Sequence, residues 1–240
     1  MENNRARRGT TPFRLLALAA ILGVALGFGL APSDAHESAA RTAGHGHGDG
    51  HGHAHHATPR NAAQSAFHDQ MRKLWEDHVT WTRLAIVTFA DGSPGFDATA
   101  ARLLQNQSDI GDAIKPYYGD AAGNRLTALL RDHISIAVEI LTAARDGNTS
   151  AFDAASTRWY ANADDIADFL SAANPRSWPD SVLRADMKAH LDQTLSEAAH
   201  ELHGEYAAGV TDYEAIHRHI LMMADTLSAG VVAQFPSRFR

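Results

Sequence analysis

The chain reads as an all-α protein: six helices built as three copies of one αα-hairpin. Three observations predict this. Strings of residues recur at a near-constant offset, apolar side chains follow steps of three and four, and no window alternates with the period of two that a half-buried strand requires. A signal or anchor segment at 1–35 and a His/Gly-rich linker at 36–62, expected to be disordered, precede a helical domain at 63–236. The hairpins fall at about 64–119, 120–175 and 178–234.

The recurrence is visible by eye. Asp91-Gly92, Phe96-Asp97-Ala98 and RLLQNQSDIGDAI (102–114) return as Asp146-Gly147, Phe152-Asp153-Ala154 and RWYANADDIADFL (158–170). The Arg, Asn, Asp, Ile and Asp of the two long strings match at an offset of 56, which drops to 55 upstream of the Phe-Asp-Ala triplet. A third, more diverged copy aligns at an offset of 57, pairing Gly147 with Gly204, His133 with His190, and Ala167-Asp168 with Ala224-Asp225.

The first helix of each copy carries a heptad-like stripe. It runs Met71, Trp75, His78, Thr82, Ala85, Phe89; then Leu126, Leu130, His133, Ala137, Ile140, Ala144; then Leu183, Met187, His190, Thr194, Glu197, Glu201. The Asp-Gly pairs end two of these helices, glycine supplying the left-handed C-terminal residue. Asp97 and Asp153 sit where first-turn acids complement the helix dipole, and Pro116 and Pro175 punctuate the junctions. Three hairpins of this size close into a compact bundle or stack as a short solenoid, and the shortness of the chain favours the bundle.

Ahead of this domain, Arg5, Arg7 and Arg8 precede an apolar run from Leu15 to Ala31. A positive region, an apolar stretch and small residues at Ser33 and Ala35 describe a secretory signal cleaved before His36. Gly29 and Ala31 offer an earlier site, and an uncleaved membrane anchor through 15–31 is the alternative. Either way the domain is exported: periplasmic, in the cell envelope or extracellular. The 240 residues contain no cysteine, which removes thiolate catalysis, iron–sulfur ligation and Cys-type zinc sites. Six basic and four acidic side chains fall before residue 61, leaving 15 basic and 24 acidic in the remainder, a net charge of −9. With no basic stripe, nucleic acid is not a partner.

Residues 36–58 hold seven histidines among glycines and alanines. Neutral imidazole binds Cu(II), Ni(II) and Zn(II), and glycine spacers let several rings wrap one ion. His45, His47, His51, His53, His55 and His56 therefore form a metal-avid tract, which as a bland alternative is a low-complexity spacer. Metal ions are the expected partner, with copper, zinc or nickel as the candidate cofactors.

Inside the domain each hairpin places a histidine at the centre of its stripe: His78, His133 and His190. The second helices place Asn106, Asn162 and His219 at the matching position. Three readings follow, one of them an organic-ligand or substrate pocket lined by these polar groups. A buried imidazole needs partners for both nitrogens, and a facing carboxamide supplies one, so each His–Asn pair fixes hairpin register. Alternatively, three histidines converge on one axis and bind a metal, as open His₃ sites do. The third copy departs further, with Thr194, Glu197 and Glu201 in stripe positions and His217 and His219 replacing Tyr160 and Asn162. His190, Glu197, His217 and Met223 are thus a candidate cluster. Its carboxylates are either paired or ligating, or that end of the helix is exposed. Asp112, Asp168 and Asp225 recur in all three copies and read as structural partners of arginines such as Arg102 and Arg158.

Catalysis is the minority reading. His190 with Glu197, or Asp164 with Asp165, supply acid–base groups, but no nucleophile, phosphate loop or H-E-x-x-H string accompanies them. The region from LWEDHVTWTR (74–83) through RWYANADDIADFL (158–170) resembles a group of uncharacterised exported bacterial helical proteins. That resemblance covers most of residues 65–236; it implies export, and it brings no activity and no site residues.

Overall fold

A computed structural model describes residues 61–240, so the signal or anchor segment and the histidine tract lie outside the described residues. The described residues form six α-helices: α1 (Ala62–Ala90), α2 (Phe96–Tyr118), α3 (Asp120–Arg145), α4 (Thr149–Ala173), α5 (Asp180–His203) and α6 (Tyr206–Gln234). A short 3₁₀ turn, Pro236–Phe239, follows, and no strand occurs among the described residues. Each helix packs on its neighbours in sequence, and α6 returns to α1. The ring is therefore closed rather than stacked. Helix α1 also touches α3 and α5, which brings the stripes of the three odd-numbered helices together.

The turns follow from their residues. Asn61 caps α1 by accepting the Gln64 N–H at 3.0 Å, which starts the helix a residue before the expected boundary. Gly92 and Gly147 adopt φ of 61° and 66° after Asp91 and Asp146, as the Asp-Gly pairs require, and Gly204 closes α5 at 76°. Two local expectations give way. Pro116 lies within the last turns of α2, where the lost N–H interrupts only one carbonyl before the helix stops at Tyr118. Asp153 is not in a first turn, because Asn148 caps α4 and starts it at Thr149.

The main core contains Met71, Trp75, Leu130, Trp159, Ile166, Leu191 and Ile220. At one end an aromatic cluster seals it. The Phe67 ring centroid lies 5.0 Å from that of Tyr117 and 5.2 Å from that of Phe239, and the last two are 5.3 Å apart. Asn61 Nδ2 ties this end down by donating to the Phe239 carbonyl at 2.7 Å. Helices α2 and α3 cross with almost no side chain between them. A Cβ on Gly111 would lie 2.6 Å from the Gly123 carbonyl oxygen and would collide with Thr127 Oγ1, so only glycine fits there. Toward the opposite end, two smaller apolar clusters, Ile86–Phe89–Leu141–Ala198 and Ala85–Leu103–Ile134, stand apart from the main core. The gap between them is the site described next.

Candidate functional site

Every stripe position of the odd helices is buried or half-buried, so periodicity placed the three histidines correctly in the interior. His78 and His133 are 3% exposed and His190 is 5%. Their rings line one partly open cavity of about 50 Å³, walled by side chains such as Ile86, Phe96, Leu103, Leu141 and Trp159. All helices except α6 contribute to it. The His78 and His190 ring centroids are 5.8 Å apart. His133 stacks on Trp159 at 5.0 Å, and His190 on His219 at 6.5 Å.

Each ring meets the second helix of its own hairpin differently. His133 donates from Nδ1 to Asn162 Oδ1 at 2.9 Å, because Asn162 Nδ2 is already donating to the Leu129 carbonyl at 3.1 Å. Its Nε2 is then an acceptor. His78 is joined by Gln107 instead, at 3.3 Å from Nδ1, while Asn106 Nδ2 donates to the Leu74 carbonyl at 3.0 Å. The expected His78–Asn106 pair is thus displaced by one residue. His190 has no such partner, and its buried Nδ1 makes no hydrogen bond. His219 Nε2 donates to the Asp186 carbonyl at 2.9 Å.

One contact nevertheless recurs. Asn106, Asn162 and His219 each donate to the carbonyl four residues before the stripe histidine: Leu74, Leu129 and Asp186. That carbonyl already accepts the histidine's own helical N–H. The matched position therefore fixes the hairpin register through the backbone in all three hairpins, and it also hydrogen-bonds the histidine ring in the second, at Asn162.

Burial holds all three imidazoles neutral. His78 is pushed down to about 3, chiefly by desolvation and then by the nearby His133, against a small opposing effect of Gln107. Desolvation lowers His133 to about 4, with Asn162 opposing. His190 is lowered well below the usual range by burial and by His78, His133 and His219. Three buried polar atoms without a partner, His190 Nδ1, Gln107 Oε1 and Trp75 Nε1, sit on side chains grouped around His78. Such atoms cost about 1–3 kcal/mol each unless a water or ligand meets them.

The third hairpin does not gather the expected cluster. Glu197 and Glu201, 1% and 5% exposed, are deeply buried, which overturns the exposed-end reading. Arg83 pairs with both: Nη1 donates to Glu197 Oε1 at 2.7 Å and Nη2 to Glu201 Oε1 at 2.9 Å. The guanidinium also lies over the Tyr213 ring, 5.4 Å from its centroid. Burial, Glu201 and Asp212 raise Glu197 to about 7, although Arg83 pulls the other way. His217 is at the surface, 3.0 Å from Glu76, and Met223 is core. His200 pairs with Asp212 at 2.7 Å.

Arg83 and Gln107 are the residues that sequence reasoning missed, and a signal for both existed. When the recurring strings are aligned, Arg83 falls in a column with Val138 and Leu195, and Gln107 in one with Ala163 and Ile220. Phe89 and Phe96 pack at 5.1 Å in the first hairpin; Glu201 and Gly209 occupy the aligned positions in the third. A Cβ on Gly209 would collide with Glu201 Oε1, so the missing phenylalanine makes room for the carboxylate. Each exception answers another.

The recurring aspartates are surface ion-pair partners. Asp112 meets Lys115 at 2.6 Å, Asp168 meets Arg184, and Asp225 meets Arg72 at 2.7 Å and His68 at 2.9 Å. Arg158 pairs with Glu139, and Arg102 lies over the Trp81 ring. Asp164 is held by Arg184 at 2.7 Å. Among the described residues no group of three or more His, Asp or Glu side chains is arranged to hold a metal ion, and no helix is long and apolar enough to cross a membrane. Comparisons with protein-family models, curated proteins and solved structures returned no match.

Proposed function

We propose that this chain is an exported, non-enzymatic metal-binding protein. The tract carrying His45, His47, His51, His53, His55 and His56 gathers copper, nickel or zinc, and the helical bundle holds an ion in its histidine-lined cavity. The observation that carries the second half is the state of His190. It is a neutral, buried imidazole beside a second one at 5.8 Å, with a ring nitrogen that no group among the described residues satisfies. Neutral imidazole is the ligand form, so nothing need be deprotonated for the ion to bind. The domain itself is best understood as three copies of one hairpin, the backbone contact of Asn106, Asn162 and His219 being the feature they share.

A structural reading competes at one of the three histidines. His133 has both a carboxamide partner and a stacked Trp159, which is how a register-fixing core histidine is held. The experiment that separates the readings uses the full chain with the six tract histidines replaced by Asn, titrated calorimetrically with Cu, Zn and Ni ions. Metal binding predicts one tight equivalent that His190→Phe abolishes. Absence of any tight site in this folded protein would leave the histidines structural.

A further inference from the structure

We infer that the ion suited to this cavity is monovalent, a Cu(I) held between His78 and His190. This inference rests on the metal-binding reading and narrows it to one charge and one coordination number.

Coordination number comes first. A metal–nitrogen distance of about 2.0 Å places a bound ion about 3.2 Å from each imidazole centroid. Two such rings sharing an ion are then about 5.2 Å apart at a tetrahedral angle and about 6.3 Å apart in a linear site. The observed 5.8 Å lies between those two separations, so the rings stand close enough to share one ion. Low-coordinate nitrogen sites of this kind are the habit of the closed-shell Cu(I) ion, whereas structural Zn(II) requires four ligands. No arrangement of three or more His, Asp or Glu side chains is available among the described residues. His133 is the one further imidazole on the cavity wall.

Charge points the same way. No side chain lining the cavity carries a formal charge when the imidazoles are neutral. The buried carboxylates of α5, Glu197 and Glu201, are engaged by Arg83. The cost of burying an ion rises with the square of its charge, so a monovalent ion costs about one quarter of what a divalent one does here. A divalent ion escapes that cost by keeping water, but the walls give such water little to hold. Of the two hydroxyl side chains on the lining, Thr82 donates to the His78 carbonyl and Thr194 to the His190 carbonyl, both at 2.8 Å. Gln107 Nε2 donates to Nδ1 of His78, so the other nitrogen of that neutral ring, Nε2, carries its proton. It binds an ion only once the ring changes tautomer and the Gln107 oxygen turns to accept from Nδ1, while His190 Nδ1 has no partner among the described residues.

The test takes the full chain with the six tract histidines changed to Asn and titrates Cu(I) anaerobically against a chromophoric competitor, with Zn(II) in parallel. One Cu(I) per chain is expected, bound at least about 100-fold more tightly than Zn(II), with two or three nitrogen neighbours and no oxygen at the copper absorption edge. His78→Phe and His190→Phe fill the ring volume without a ligand nitrogen; each is expected to lower Cu(I) affinity by more than about 100-fold while retaining helical circular dichroism. Should either variant fail to fold, His78→Gln or His190→Gln takes its place. Zn(II) binding as tight as Cu(I), or an oxygen-rich copper shell, overturns the monovalent assignment and leaves the metal reading standing. Binding of neither ion to the folded protein overturns both, and Cu(I) retained by His190→Phe overturns the site.

Discussion

Acidification should unfold this domain from its histidines outward, and the size of the effect can be worked from the burial of three rings. In the unfolded chain each imidazole takes up a proton as the pH falls through about 6.5. In the folded chain His78 resists until about 3 and His133 until about 4. Between those limits the unfolded state binds more protons, so stability falls with falling pH. At pH 5 the loss is about 2 kcal/mol for each of these two rings, or about 4 kcal/mol together. His190 adds to it in the same direction. Glu197 opposes it: raised to about 7, it binds a proton in the folded state before an unfolded glutamate does, which returns about 2 kcal/mol between pH 7.5 and 5. The net expectation is a loss of at least about 2 kcal/mol, a sizeable part of the stability of an ordinary domain. Urea unfolding at pH 7.5, 6.5 and 5.0 with a chelator present measures it. Glu197→Gln removes the opposing contribution, so its loss over the same range should be the steeper. A denaturation midpoint that is unchanged or higher at pH 5 would refute the claim that these histidines are buried and neutral.

Other perturbations probe separate parts of the same interior. Arg83→Met should destabilise by about 3–5 kcal/mol at pH 8, because it leaves Glu197 and Glu201 buried without a cation; the deficit should shrink toward pH 6 as Glu197 takes up a proton, and a pH-independent deficit would contradict the ion-pair account. Asn162→Ala strips partners from both His133 Nδ1 and the Leu129 carbonyl and should cost about 2–4 kcal/mol by chemical denaturation, more than Ser135→Ala on the exposed face of α3. Gly111→Ala forces α2 away from α3 and should cost at least about 1–3 kcal/mol, whereas Ala121→Gly, at an exposed site nearby, should cost no more than about 1 kcal/mol.

The helices were legible because their instructions are local. Asp-Gly pairs, heptad steps and recurrent strings marked six helices, and the stripes Met71–Phe89 and Leu183–Glu201 both proved to face inward. Ring closure was not legible in the same way, since it depends on α6 meeting α1 across the whole chain. Where sequence reading went astray, a local preference yielded to a neighbour. Asp153 was overtaken by the stronger cap at Asn148, and Pro116 was tolerated because its helix was about to end.

In the site, periodicity showed that His78, His133 and His190 are interior but not what each ring touches. Gln107 reached His78 first, one residue from the expected asparagine, because adjacent residues on α2 differ by a rotation of about 100° and both face α1 at that level. The carboxylates of α5 announced a missing cation, and Arg83 was visible as the one charged residue in an otherwise apolar aligned column. Reading each copy singly concealed it. The His217 candidate failed to join the others because α6 turns that position outward, toward Glu76.

The measurement that bears most directly on the central claim observes the ring nitrogens themselves. In ¹⁵N-histidine-labelled full-length protein carrying the six tract substitutions, one equivalent of bound metal should shift the side-chain resonances of His78 and His190 and leave those of surface His217 and His203 in place. If the His190 nitrogens keep their metal-free shifts while the protein remains folded, the cavity is not a metal site.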